Sequence, residues 1–383
     1  MRRTRHLGST QYIIYATSAV LFLAAAGLIA ASQWPDSDGK TVAKGMVITG
    51  TTTSLIEAES GSASPSQTST TATAPTTTDS ATASTAGSTT SSTAPVTTTV
   101  TATTTTIEEP SPFDADEAMG HIYTLAEAIG PRKSGTAAED QAVEYAVDYL
   151  EGLGYPVTTT DVPLPNGSTS HNVSVIKPGH SSGTIVIGGH IDSVTGAPGG
   201  NDNASGAAVV LELARCLKDV NTTATLQFVL FGAEEMVDTN PDHHHYGSRQ
   251  FVADLTPDEQ SSLLGMISVD MVAVGTKFHV RTMKEGPQEM ADQMLAYASD
   301  RGIGMSFLKD LGSYGWSDHE PFELAGYPAA WAEWRSDPYY HTSGDTYSHC
   351  KSRLVATAGQ MIACFLVDLN SADLSALAAA RDL

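Results

Sequence analysis

Between Ile185 and Gly206 the chain reads IVIGGHIDSVTGAPGGNDNASG, and His190, Asp192 and Asp202 within it can bind a cation or move a proton. The stretch opens on an apolar β-branched run, Thr184 to Ile187, which reads as a buried strand. Along an extended chain residues two apart share a face, so Asp192 can brace the His190 imidazole. A Gly/Pro-rich loop then delivers Asp202, and Ala204 to Val220 reads as a helix. Polar residues at the C-terminal end of a strand, before a loop and a helix, sit where open α/β sheets bind ligands.

Three more places break the apolar pattern with groups of the same kind. LQFVLFGA runs into Glu234-Glu235, MISVD ends on Asp270, and YYHTSGDT offers His341. Any one of these carboxylates has a plainer explanation as a solvated strand end, a cap or an ion pair. Asp270 resists it, because a charge between Val269 and Met271 needs a partner. Together, two histidines and three or four carboxylates form a nitrogen/oxygen donor set without thiolates, which argues against a structural zinc-finger site. A set this large suits two ions sharing a bridging carboxylate, about 3.5–4 Å apart. Neighbouring side chains point different ways, so one of Glu234 and Glu235 can bind metal while the other takes a proton from water.

These residues need a scaffold that brings strand ends together. Strand-like runs are expected at 171–177, 184–189, 224–231, 264–271, 277–281, 305–308 and 327–331, and helical patterns at 113–129, 136–153, 204–220, 287–301, 319–325 and 354–369. Strands alternating with helices predict an α/β fold: one three-layer domain over 111–383, with a mostly parallel central sheet flanked by helices.

Upstream the composition changes. Arg2, Arg3 and Arg5 in a basic tail (1–11) precede the apolar run YIIYATSAVLFLAAAGLIAA from Tyr12 to Ala31. Twenty such residues can span a bilayer, and the flanking charge puts the N-terminus inside the cell. Residues 12–32 therefore read as an uncleaved membrane anchor, with a cleaved signal peptide as the rival, Ala30-Ala31-Ser32 being small enough for cleavage. Either way the remainder is exported: to the outer face of the cell membrane, or secreted. Residues 33–110, dominated by Thr and Ser, read as a disordered tether. A formal net charge of −23 argues against nucleic acid as a partner. Three cysteines, Cys216, Cys350 and Cys364, are too few for a disulfide framework, although a Cys350–Cys364 bridge stays open.

The motifs GGHIDS, GGNDNASG, FGAEE, SVDMVA, SDHEPFELAGYPA and YYHTSGDT follow one another as in the di-zinc aminopeptidases of the leucyl aminopeptidase/aminopeptidase Y type, which this chain resembles over about 112–369. GPRKSGTAAEDQAVEYAVDYLEGLGYPV is similar to the N-terminal helices of that family. The resemblance implies two Zn(2+) ions, with Co or Mn as possible substitutes. It places His190 and Asp270 on one ion, Glu235 and His341 on the other, and Asp202 between them. It makes Glu234 the general base, Tyr340 a stabiliser of the developing oxyanion, and Asp192 the partner of His190. It also implies a cis Asp202–Asn203 peptide and peptide substrates with a free N-terminus.

One departure stands out, because MVDTNPDHHHY separates the glutamate pair from Gly247-Ser248 where the family runs on almost directly. His243, His244 and His245 there could bind a further metal or shape the entrance, but a mobile exposed loop is the expectation. Trp331, Trp334 and Arg335 either pack in the core or line the substrate pocket. Asn166, Asn172, Asn203 and Asn221 each begin N-x-Ser/Thr, a motif frequent by chance in such chains. Two other functions fit the fold: a single-zinc glutaminyl-cyclase-like enzyme, and an inactive ectodomain acting as a binding module. The complete NDNASG, His190, and Tyr340 where cyclases usually carry Trp argue against the first; the full residue set argues against the second.

Overall fold

The computed structural model describes residues 113–283, 286–310 and 314–383, so the expected membrane segment and tether lie outside the described residues. Helix α1 (Ala115–Tyr123) continues into a π-helical turn at Thr124–Ile129 and is followed by α2 (Ala137–Gly152), β1 (Thr158–Pro163), β2 (Thr169–Lys177), β3 (Thr184–His190), α3 (Ala204–Leu217) and β4 (Thr225–Phe231). Next come α4 (Tyr246–Ala253), α5 (Pro257–Ser262), β5 (Leu263–Val269), β6 (Lys277–Thr282) and α6 (Glu289–Asp300). The chain ends with β7 (Met305–Lys309), α7 (His319–Leu324), β8 (Ala329–Arg335), α8 (Ser352–Asp368) and α9 (Ser371–Ala380).

The eight strands form one sheet in the order β1-β2-β4-β3-β5-β8-β6-β7. Its centre, β4-β3-β5-β8, is parallel as the sequence suggested. The sheet as a whole is mixed rather than mostly parallel, because β2 pairs antiparallel with both β1 and β4, and β6 with β8. The connection from β1 to β2 is too short for a crossover helix, which leaves only a hairpin. β1 itself, TTTDVP, escapes sequence reading because it is an exposed polar edge strand ending at proline.

Alternation along the central strands explains the three layers. Ile185 and Ile187 on β3, Leu226, Phe228 and Leu230 on β4, and Ile267 and Val269 on β5 face one large core shared with α1, α2, α3, α6, α8 and α9. Val186, Val229, Phe231 and Met266 face the opposite side, against Phe322 of α7 and Phe251 of α4. Strands covered on both faces are apolar almost throughout, which is why β5 reads LLGMISV, is buried along its whole length, and pairs its one polar side chain, Ser268, with the Ser317 hydroxyl. Each such large side chain contributes roughly 1.5–3 kcal/mol by leaving water.

The three cysteines are free, so no Cys350–Cys364 bridge forms. Asn172 and Asn203 are buried, whereas Asn166 and Asn221 are exposed. Trp334 stacks on Phe278 and Trp331 is buried, which gives both tryptophans packing roles.

The first turn of α3 lies against the end of β5 so closely that a Cβ on Gly206 would strike the Val269 carbonyl oxygen. Gly206→Ala would ordinarily help a helix by about 0.5–1 kcal/mol. Here overpacking of about 1–3 kcal/mol should dominate. The variant is expected to melt below the parent in a thermal scan; a higher melting temperature would contradict this packing.

Candidate metal centre

The site lies at the C-terminal ends of the parallel strands, where β3 delivers His190, the turn after β4 delivers Glu234 and Glu235, and the residue after β5 is Asp270. Asp202 comes from the loop before α3, and His341 from the segment after β8.

The loop carrying Asp202 is fastened from several directions. Arg132, with no exposed surface, donates to the carbonyls of Ile191 at 2.7 Å and Gly199 at 3.0 Å, and also to that of Pro198. Burial lowers its pKa to about 10, which leaves it a cation at neutral pH facing Asp192, Asp345, Asp202 and Glu235. Asp345 accepts from the backbone N–H of Asn201 at 2.7 Å and of Asp202 at 3.0 Å. The Asn201 side chain accepts from the N–H groups of Ala273 and Val274, and Asn203 accepts from Gly206 and Met271 while donating to Val269. The Asp202–Asn203 peptide is cis, in agreement with the expectation from the family resemblance.

Held in this way, Asp202 offers one oxygen to each side. Its Oδ1 is 3.2 Å from His190 Nε2 and its Oδ2 is 3.2 Å from His341 Nε2. Asp270 Oδ1 lies 3.7 Å from His190 Nε2, and Glu235 Oε1 lies 3.2 Å from His341 Nε2. Two groups result, His190 with Glu234 and Asp270, and Asp202 with Glu235 and His341, whose donor atoms lie within 4.8 Å of one another in each group. His190 Nε2, Glu235 Oε1 and Asp270 Oδ1 are buried without a hydrogen-bond partner. Buried polar atoms are ordinarily paired. Orphaned lone pairs converging in this manner fit divalent cations on both sides of Asp202.

Outer contacts fix these groups. Asp192 lies 3.4 Å from His190 Nδ1 and accepts from the N–H groups of Glu234 at 3.0 Å and Glu235 at 3.3 Å, so one carboxylate orients the imidazole and the glutamate pair. Ser317 Oγ donates to Asp270 Oδ2 at 2.7 Å, and Trp331 Nε1 donates to the Asp270 carbonyl at 3.0 Å. The Tyr340 ring stacks on His341 at 3.7 Å. Burial of the hydroxyl end and the charges of Asp202, Glu235, Glu234 and Asp270 push its pKa above the ordinary value, although 47% of the residue is exposed.

Crowding shows in the acid–base behaviour. Burial, reinforced by Asp202, raises Glu235 to about 8, and burial raises Asp270 to about 6. Burial opposes charge on His341, but Asp202 and Glu235 outweigh it and bring the imidazole to about 10.

Most of the MVDTNPDHHH segment, from Asp238 to Asp242, is exposed as its composition suggested, but its histidine end turns inward. His244 and His245 are buried, and His245 Nε2 meets Glu234 Oε1 at 2.9 Å. Asp318 and Glu320 are buried nearby; burial and the Glu234 charge raise Asp318 to about 7. Sequence reasoning assigned no role to Asp318 or Glu320 and left His245 in an exposed tract. The only signal was SDHEPF, which sets Asp318 at the N-cap of α7 and Glu320 in its first turn.

The model of peptidase family M28 matches residues 172–366, and the chain belongs to that family. Aminopeptidase YwaD of Bacillus subtilis is 31% identical over 188 residues, which cover 46% of this chain and 39% of that protein. The chain thus spans less than half the length of that relative. Among solved structures, a zinc aminopeptidase from Bacillus subtilis superposes with a TM-score of 0.60 at 21% identity, over 67% of this chain and 95% of that one. A glutaminyl cyclase from Bacteroides thetaiotaomicron superposes with a TM-score of 0.57 at 20% identity, over 68% of this chain and 100% of that one. These likenesses show a shared fold.

The raised groups carry a pH signature. Without metal, native Glu235 holds its proton to about 8 against an ordinary 4.5, and native His341 to about 10 against 6.5. The native state then binds more protons than the unfolded chain between about pH 6.5 and 8, so stability falls as pH rises there. Metal-free protein should lose melting temperature across that window, and added zinc should reduce the slope. A melting temperature that rises with pH in the metal-free protein would contradict the assignment.

Proposed function

We propose that this chain is an exported metallo-aminopeptidase that hydrolyses the N-terminal peptide bond of peptides with a co-catalytic pair of zinc ions. The observation that carries the reading is Asp202, whose two oxygens each lie 3.2 Å from a different histidine. His190 and Asp270 would hold one ion, Glu235 and His341 the other, with Asp202 shared. Family membership and a relative named as an aminopeptidase point the same way. Residues 12–32 would anchor the domain outside the cell membrane through the 33–110 tether, or the domain would be secreted after cleavage.

Zinc ions bound there would acidify a water molecule and polarise the scissile carbonyl. Glu234, with Oε2 3.7 Å from His190 Nε2, is placed to accept a proton from that water and return it to the leaving amine. Tyr340, stacked beside His341, would donate a hydrogen bond from its hydroxyl to the oxygen that gains charge as the carbonyl is attacked. Its raised pKa keeps the hydroxyl proton in place at neutral pH. Acidic groups of the site would hold the free α-amine of a substrate, which would disfavour an N-blocked chain.

Aminoacyl chromogenic substrates should be cleaved, with activity lost to a chelator and restored by zinc, and N-acetylated substrates should be spared. Equal cleavage of blocked and free substrates would end the exopeptidase reading. Cyclisation of N-terminal glutamine without release of amino acids would replace it with the glutaminyl-cyclase reading. Glu234→Gln should keep its metal and lose turnover by about 10²–10⁴-fold. His341→Ala should lose zinc, and normal occupancy with normal activity would refute its place in the site.

A further inference from the structure

The segment by which this chain departs from the family pattern returns to the site itself. Val237 N–H donates to the His243 carbonyl at 3.0 Å, closing the loop. His245 and Tyr246 then donate backbone N–H groups to the carbonyls of Glu234 and Ala233, both at 2.8 Å. His245 adopts a left-handed φ of 54° at that point, an uncommon conformation for a histidine, and its imidazole is buried under the glutamate pair. Nε2 lies 2.9 Å from Glu234 Oε1, while Nδ1 lies 3.5 Å from Glu320 Oε1. Glu320 is fixed in turn by Arg249 Nη2 at 2.9 Å and by the Gly315 N–H at 2.6 Å.

Resting on the reading of Glu234 as the general base, we propose that His245 is its positioning residue: the ring N–H holds Oε1 and leaves Oε2 turned to the reacting water. A carboxylate on a flexible side chain can rotate, and a base displaced by about 1 Å costs roughly 10²-fold in rate. In this chain Asp192 fixes the Glu234 backbone through its N–H at 3.0 Å, and His245 fixes the carboxylate itself. Glu320, held by Arg249, borders the other side of the imidazole at 3.5 Å from Nδ1. A third cation among His244, His245 and Glu320 is the rival, since their donor atoms lie within 4.8 Å of one another. Arg249 answers it, because Nη2 sits 3.1 Å from His244 Nε2 and 2.9 Å from Glu320 Oε1, so a guanidinium already occupies the place.

The test compares two variants of the zinc-loaded protein. His245→Leu removes the donor at similar volume, and His245→Gln keeps an N–H near the Nε2 position. His245→Leu should lower kcat about 10–100-fold with KM within about twofold and zinc content unchanged, and His245→Gln should recover most of the loss. Proton NMR supplies a readout free of turnover: a slowly exchanging imidazole N–H signal, absent in His245→Leu and shifted in Glu234→Gln. A His245→Leu enzyme with unaltered kcat, one that loses zinc, or a wild type without that signal overturns the proposal. A wild type inactive on every aminoacyl substrate but keeping the signal, shifted by Glu234→Gln, ends the aminopeptidase reading and leaves the His245–Glu234 coupling standing.

Discussion

Four carboxylates buried within a few ångströms of one another are the constraint on which this structure turns. Two unit charges about 4 Å apart at an effective dielectric of 20 repel by about 4 kcal/mol. Asp202, Glu234, Glu235 and Asp270 meet that repulsion in an interior that water does not screen. The chain answers with His190, His341 and His245 among the carboxylates and with Arg132 behind them. Burial, with the neighbouring carboxylate charges adding to it, raises the pKa values of Glu235 and Asp270, and both keep orphaned oxygens. Divalent cations bound between these groups would relieve it, turning the repulsion that burdens the metal-free fold into metal affinity.

Such an arrangement persists only if the backbone cannot relax, and the fold ensures this by borrowing anchors from distant parts of the chain. Asp345 holds the Asn201 and Asp202 amides across more than a hundred residues of sequence. The Asn201 and Asn203 side chains tie the same loop to the segment after β5, so the residues bearing Asp202 and Asp270 move together. Arg132 collects the carbonyls of the loop between β3 and α3, a use of guanidinium that depends on its several fixed donors. Loops that carry function are commonly mobile. Here the loop is braced against the sheet that supports it.

Much of this was legible in the sequence, for a physical reason. A strand buried on both faces must be apolar, so a charge at its end, such as Asp270 after MISV, announces a partner elsewhere. His190, Glu234 and Glu235 stand at strand ends in the same way, Asp202 and His341 lie in loops that only the order of the motifs singles out, and all six converge. What stayed hidden depends on long-range geometry. Nothing in GPRKSG says that Arg132 will face carbonyls some sixty residues away, and HHH looks like a solvated tract until the chain folds back onto Glu234. Strand direction was hidden too, because the periodicity of β2 and β6 marks their buried faces and carries no information about which way they run.

The central claim is that Asp202 sits between two cations, and anomalous diffraction from zinc-loaded crystals tests it most directly. Two peaks are predicted about 3.5–4 Å apart, one against each oxygen of Asp202. A single peak remote from Asp202, or a fully active crystal with no anomalous signal among these six side chains, would contradict it.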